Sequence, residues 1–315
     1  MEYTKLPAIP SLLAQYGKAA LGSVPLVGGS RDATSVPAKG VEVSGVKVDV
    51  ANLAAYASVC DLRLSDALPL TYPFTLTFPL TMQLMLDPGF PFPAMGSVHL
   101  FNEITSRRAL RVGDELSIRA HAENLREHPS GLLVDVVTEI RTGDENDDDE
   151  PAWLQRSSML SKRRTSLSPA KDAPRPPKPE PPTAVELGDP TVVKSVSEAQ
   201  IGEYAAVSGD RNPIHVSKVG AKAFGFPNVI AHGMWTAAAL LGTVEGQIPD
   251  RVRYSVEFGK PVVLPAKLGI YARRGGSAGS AGSAGSGAAD PAWTITARNP
   301  KKLGNVHATA TIEEL

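Results

Sequence analysis

The chain has a single cysteine, Cys60, among its 315 residues. One thiol cannot close an intramolecular disulfide. With no CxxC pair or Cys/His cluster there is no ligand set for zinc, and no metal site is expected. Cys60 reads as a small core residue. Neither sign of charge is in excess: 32 Lys and Arg stand against 33 Asp and Glu, a formal net charge of −1. That balance argues against a nucleic-acid partner, which needs a basic face. Neither GxGxxG nor a Walker sequence occurs, so no nicotinamide, nucleotide or other cofactor is expected. Long apolar runs are lacking too. The N-terminal segment carries Glu2, Pro7 and Pro10 where a secretory signal would be continuously apolar. The uncharged stretch Ala67–Leu86 contains Pro69, Pro73 and Pro79, which a membrane-spanning helix would have to tolerate. It reads as a loop followed by a buried helix starting near Pro79, a good first-turn position. With no signal and no thiol pairing, the cytoplasm is the expected compartment, without a membrane partner.

What is present begins with a break. Ser166–Pro190 is rich in proline, and its core PRPPKPEPP (Pro174–Pro182) is a polyproline-type spacer with little apolar surface to bury. It divides the chain into residues 1–165 and 191–315, each the size of a small domain. The acidic run Asp144–Glu150 reads as a solvated hairpin tip. Gly275–Gly287 (GGSAGSAGSAGSG) cannot build a core; it is either a natural flexible loop or a linker standing in for one.

The two parts repeat each other weakly. In the first, an apolar helix candidate (Leu80–Leu86) precedes strand-like segments at Ser97–Glu103, Glu115–Glu123, Gly131–Arg141 and Trp153–Lys162. In the second, a helix candidate (His232–Leu241) precedes Val252–Phe258, Lys267–Arg273, Trp293–Arg298 and Val306–Glu313. LSIRA and LGIYA alternate in corresponding places as half-buried strands do. A helix followed by an antiparallel meander, twice over, predicts an α+β fold. A helix without a polar face needs wrapping on most sides, which a curved sheet supplies, and edge strands of the two halves then pair into one continuous sheet.

Chemistry concentrates in Tyr204–Leu241. Asp210, Asn212 and His215 lie within six residues, with Gly209 marking a turn and Pro213 stopping a helix from running through, so the cluster is expected in a rigid loop. Taken alone, GDRNP is an ordinary turn string. The residues downstream add to it. Gly233 stands at the start of the apolar helix, where free N–H groups and the helix dipole can hold an oxyanion. An acid–base pair and an oxyanion donor are the minimum parts for proton chemistry next to a thioester carbonyl.

GDRNPIH and the later AHGM resemble the signature of the (R)-specific enoyl-CoA hydratases of the MaoC-like hot-dog family, a Gly-Asp-x-Asn-Pro-x-His run and then His-Gly-Met at the start of the central helix. The match falls at Gly209, Asp210, Asn212, Pro213, His215, His232, Gly233 and Met234. The internal repeat extends the resemblance over nearly the whole chain as a double hot-dog protein: two antiparallel sheets, each wrapped around a central apolar helix, joined into one. The resemblance implies reversible hydration of a trans-2-enoyl thioester to an (R)-3-hydroxyacyl thioester. Asp210 and His215 would hold a water against C3, with neither assigned as the base, and the Gly233 N–H would receive the thioester carbonyl. Asn212 would orient the pair or bond the backbone, and His232 would be a wall residue at the helix start. The first half departs from the pattern. YASVCDLRLSDALPLTYPF holds Asp61 and Asp66 with no following His, and Thr77-Phe78-Pro79 stands where His-Gly-Met would be. That half would accommodate the acyl chain, with Phe74, Phe78, Met82, Met85, Phe90 and Phe92 as candidate wall residues. The expected partner is an acyl-CoA or acyl-carrier-protein thioester, with Lys218, Lys222 and Lys260 as candidates for its arm. The assembly would be a monomeric pseudo-dimer or a homodimer. A hot-dog thioesterase and a non-catalytic acyl-binding subunit are the alternatives.

Overall fold

Alternating apolar residues in the predicted meanders become strands, and the two runs without a polar face become the helices they enclose. The computed structural model describes residues 1–22, 34–143, 150–170, 180–275 and 292–315. Most of the acidic run, most of the proline-rich core and nearly all of the GSA stretch lie outside the described residues.

The first part contains β1 (Glu2–Lys5), α1 (Leu12–Gly22), β2 (Lys39–Val46), α2 (Val50–Cys60), α3 (Pro73–Met85), β3 (Val98–Ser106), β4 (Leu116–His128), β5 (Gly131–Thr142) and β6 (Trp153–Lys162). After α4 (Ala184–Leu187) the second part contains β7 (Val192–Val196), α5 (Glu198–Ser208), α6 (Pro213–Val216), α7 (Lys218–Ala223), α8 (Gly233–Gly242), β8 (Val252–Phe258), β9 (Ala266–Arg274), β10 (Trp293–Asn299) and β11 (Lys302–Glu314). All eight predicted meander strands are present.

The strands form one sheet in the order β1-β2-β4-β5-β6-β3-β8-β11-β10-β9-β7. Leaving out β1, the order reads the same from either end: β2, β4, β5, β6 and β3 correspond to β7, β9, β10, β11 and β8. The seam is the β3–β8 ladder, antiparallel from Phe101 opposite Glu257 to Ser106 opposite Val252. This is the double hot-dog arrangement. One pair departs from the expected antiparallel sheet, since β1 runs parallel to β2.

The sheet closes over α3 and α8. In α8 every residue from Met234 to Leu241 is buried. Trp235 is fully enclosed and its indole N–H donates to the Val59 carbonyl at 3.3 Å, while the Tyr254 hydroxyl donates to the Ala237 carbonyl at 2.7 Å. These bonds satisfy the only polar atoms that the two large rings bring into the core. Cys60 is fully buried, and burial pushes its thiol up to about 12. The first central helix starts earlier than expected. It begins at Pro73, with Pro79 inside it. Pro73 takes the first-turn position, where a missing N–H costs nothing; the second missing N–H, at Pro79, leaves the Thr75 carbonyl without its helical donor and is tolerated because eleven residues of the helix are buried.

Candidate active site

Helix α5 ends at Gly209, whose φ of +73° is left-handed, and a Cβ there would collide with Leu12 of α1. Both constraints require glycine. The chain turns, the Asp210 N–H donates to Ser208 Oγ at 3.2 Å, and the Asp210 side chain is left only 18% exposed. Asn212 then caps α6, its Oδ1 accepting the Ile214 N–H at 3.3 Å, with Pro213 in the first turn. Here the structure departs from the expected rigid loop by one short helical element. Pro213 starts a single helical turn, because proline's fixed φ suits a first helical position, and His215 projects from that turn. The Asn212 side chain bonds the backbone and neither member of the pair.

The three polar side chains converge. His215 Nδ1–H donates to the Ile230 carbonyl at 2.8 Å, which leaves its Nε2 with a lone pair. His232 Nε2–H donates to the Asp210 carbonyl at 2.8 Å and lies 4.0 Å from Asp210 Oδ2. The two imidazoles stack with centroids 3.8 Å apart and planes 29° apart. Nitrogen and carboxylate atoms of Asp210, His215 and His232 all fall within 4.8 Å of one another. Each histidine gives one ring N–H to a backbone carbonyl and keeps its other nitrogen as an acceptor, so with the carboxylate the cluster can hold a water.

Electrostatics sort the groups. Burial raises the Asp210 carboxyl, but attraction to His232 and His215 in their protonated forms and the hydrogen bond from the Tyr16 hydroxyl outweigh it and hold the group below its ordinary range, so it is ionised at neutral pH. Burial lowers His215 against the pull of Asp210, and lowers His232 to about 3 with the help of His215. At neutral pH the site therefore holds a carboxylate and two neutral imidazoles.

Gly233 is the first residue of α8, so its N–H has no acceptor within the helix, and it borders the cavity; a Cβ there would sit 3.3 Å from the Phe258 ring. Met234 borders the cavity from the same turn. The cavity, about 370 Å³, runs from this cluster to the first half. Of the six apolar wall candidates, Phe74, Phe78, Met82 and Met85 line it. Phe90 and Phe92 do not; they are fully buried and pack edge to face with centroids 5.1 Å apart. Of the three candidate lysines only Lys260 lines the cavity, joined by Lys162 from β6, while Lys218 pairs with Glu198 at 3.0 Å.

Two residues of the first half were not anticipated. The Tyr16 hydroxyl of α1 donates to Asp210 Oδ1 at 2.8 Å across 194 residues of sequence. His99 of β3 borders the cavity against Phe258, its pKa lowered by burial to about 4. Neither belongs to a motif, so no local pattern could have found them.

Comparisons with known proteins converge on one family. Residues 172–288 match the family model described as the MaoC like domain. The chain is 45% identical to 3-hydroxyacyl-thioester dehydratase X of Mycobacterium tuberculosis, an alignment covering 97% of this chain and 99% of that protein. Among solved structures, HtdX of Mycobacterium tuberculosis superposes with a TM-score of 0.71 at 42% identity, covering 88% of this chain and 100% of the other. A MaoC-like dehydratase from Phytophthora capsici shares the fold at a TM-score of 0.61 and 18% identity, over 90% of this chain and 98% of that one.

Proposed function

The chain belongs to the MaoC-like dehydratase family, and from that premise we propose that this hydro-lyase interconverts a trans-2-enoyl thioester and an (R)-3-hydroxyacyl thioester. The observation that carries the reading is the convergence of an ionised carboxylate, a neutral imidazole with a free lone pair and an unpaired helix-start N–H on one cavity. In the hydration direction the Gly233 N–H receives the thioester carbonyl, and charge moving onto that oxygen as the enolate forms is met by the N–H and the helix dipole. One water lies between Asp210 and His215. His215 Nε2 takes a proton from it as its oxygen bonds C3, Asp210 stabilises the resulting imidazolium, and the imidazolium returns a proton to C2. One water is added and the pair ends as it began. Dehydration runs the same steps backwards.

Residues 191–315 form the catalytic half in this reading, residues 1–165 accommodate the acyl chain and 166–190 join them. Lys162 and Lys260 flank the entry for a CoA or carrier-protein arm. The seam within one chain supplies what two single hot-dog chains would supply by pairing, so the protein acts as a monomer or pairs again as a homodimer. The cytoplasm is the proposed compartment; no helix among the described residues is long and apolar enough to cross a membrane. The test is loss of enoyl absorbance with a trans-2-enoyl-CoA series, with product analysis. Turnover to the (R)-3-hydroxyacyl product supports the proposal. Release of free thiol would instead mean a thioesterase, and a folded protein inert to both CoA and carrier-protein thioesters would mean a binding subunit.

A further inference from the structure

Helix α1 belongs to the first half by sequence, yet it lies across the catalytic loop of the second. Three side chains on one face hold it there, at the spacing that keeps helical residues together. Leu12 sits where a Cβ on Gly209 would be. The buried Gln15 amide donates to the Pro79 carbonyl at 2.9 Å and to Gln83 Oε1 at 3.2 Å, fastening α1 to the central helix α3. Tyr16, next to Gln15 and one turn on from Leu12, donates to Asp210 Oδ1. That oxygen also accepts the Asn212 N–H at 3.2 Å. Oδ1 is thus committed to two donors, whereas Oδ2 has neither and stands 4.0 Å from His232 Nε2.

We propose that Tyr16 is a positioning residue for the reaction: its hydroxyl pins Asp210 Oδ1, fixes the carboxylate rotamer and leaves Oδ2 as the oxygen that holds the reacting water. The inference rests on the reading of Asp210 and His215 as the acid–base pair. A phenol proton on one carboxylate oxygen favours the anion and weakens the other oxygen as a proton acceptor. Burial and the Asp210 charge push the Tyr16 hydroxyl far above its ordinary range, so it remains a donor at every working pH. The other groups facing Asp210 are His215 from α6, His232 at the foot of α8, Tyr204 from α5 and His99 from β3. None of them donates to Oδ1.

The experiment compares Tyr16→Phe, which keeps the ring and removes only the donor, with Leu12→Ala, which loosens the same helix and removes no donor. Both are read by pH–rate profiles with a trans-2-enoyl thioester. In Tyr16→Phe the carboxylate loses a proton donor, so the coupled Asp210–His215 pair binds protons more readily and the acid limb moves up by about one pH unit. The kcat falls about tenfold with KM nearly unchanged, since the loss is felt in the transition state. In Leu12→Ala the limb stays in place. An unmoved limb in Tyr16→Phe, or an equal movement in Leu12→Ala, overturns the proposal. A second measurement follows the Asp210 carboxylate by infrared titration, using Asp210→Asn as the blank. Its midpoint rises in Tyr16→Phe if the proposal holds and is unchanged if it fails. Because this readout needs no turnover, an inactive parent enzyme would overturn the hydratase reading while Tyr16 is still judged by the titration.

Discussion

At the start of α8 a cavity of about 370 Å³ is bordered by Asp210, His215 and Gly233; at the start of α3, its counterpart across the seam, a cavity of about 400 Å³ is bordered by Leu62, Ala67 and Pro73. The two sites are built alike. Helix α2 ends in a left-handed residue, Asp61 with φ +55°, as α5 ends in Gly209 with φ +73°. Counting from these caps, Leu62 stands where Asp210 does and Ala67 where His215 does. At the helix starts, Tyr72 caps α3 as His232 caps α8, and Pro73 occupies the first helical position that Gly233 occupies in α8. The carboxylate is replaced by an aliphatic, the imidazole by a methyl, and the glycine with its free N–H by a residue that has none. The fold thus supplies a cavity at both ends, and under the proposed function three positions set the two apart. The aspartates of the first half are used otherwise: Asp61 pairs with Lys194 at 2.9 Å and Asp66 pairs with Arg111.

The largest effect should come from truncating the polar set at one end and its counterpart at the other. Asp210→Asn and His215→Ala are expected to lower kcat about 10²–10⁴-fold, the range of general acid–base catalysis. Leu62→Ala should leave kcat within about twofold, because Leu62 touches no reacting group. Steady-state kinetics on folded variants decide it, and a comparable loss at both ends would break the assignment.

A sharper test copies one end onto the other. Gly233→Pro gives α8 the first residue of α3. The backbone tolerates it: proline is at home in the first helical position, and His232 before it is already extended, with φ −65° and ψ 143°. The N–H is lost, and kcat should fall about 10²–10³-fold with the fold intact, as when other oxyanion donors are removed. Some loss from crowding against Phe258 is expected as well, and Gly233→Ala, which crowds the same ring but keeps the N–H, separates the two.

Much of this contrast was legible in the sequence, and the reason is local. GDRNPIH and HGM are contiguous, and the central helices and meanders announce themselves by apolar pattern. The missing His after Asp61 and Asp66 was visible too. The start of α3 was not, because Pro79 looks like a first-turn proline and only burial explains a proline inside the helix. The alignment of Leu62 and Ala67 with Asp210 and His215 depended on that start and on the left-handed cap at Asp61. Tyr16 and His99 were out of reach, since each meets the site through tertiary contacts that leave no periodicity or motif. β1, α1, β2 and β7 are short or flank the repeat, and no pattern marked them.

The two ends also differ in what they bury. His232 is enclosed and neutral, whereas its counterpart Tyr72 does not titrate in the range where proteins are stable. A histidine whose folded pKa is lowered to about 3 leaves the unfolded chain, near 6.5, binding more protons. Stability should therefore fall as pH drops below about 6.5 and level only near 3, by up to about 1.4 kcal/mol per pH unit for one such group. His99, at about 4, and the depressed Asp210 carboxyl act in the same direction. Denaturant unfolding at pH 7 and pH 5 should show the protein weaker at pH 5, and His232→Gln should reduce the difference. An undiminished difference would place the sensitivity in groups other than His232, with His215 and His99 first among them.

The smallest expected effect concerns the wall between the two halves. Phe78 and Met82 of α3 border the cavity that holds Asp210 and His215 and are 9% and 5% exposed, whereas Phe90 and Phe92 close on each other away from it. If the first half accommodates the acyl chain, shortening a wall residue lengthens the space by a few methylene groups. A methylene in an apolar pocket is worth about 1–3 kcal/mol, so Met82→Ala should improve kcat/KM for a longer enoyl-CoA relative to a shorter one by about tenfold or more. Phe90→Leu should leave that ratio alone and lower stability instead, by about 1–3 kcal/mol for lost packing. Competition between enoyl-CoA chain lengths reads the first effect and chemical denaturation reads the second. A ratio that moves with Phe90 and not with Met82 would mean that the chain follows another path, and that the resemblance between the two ends extends to how each is filled.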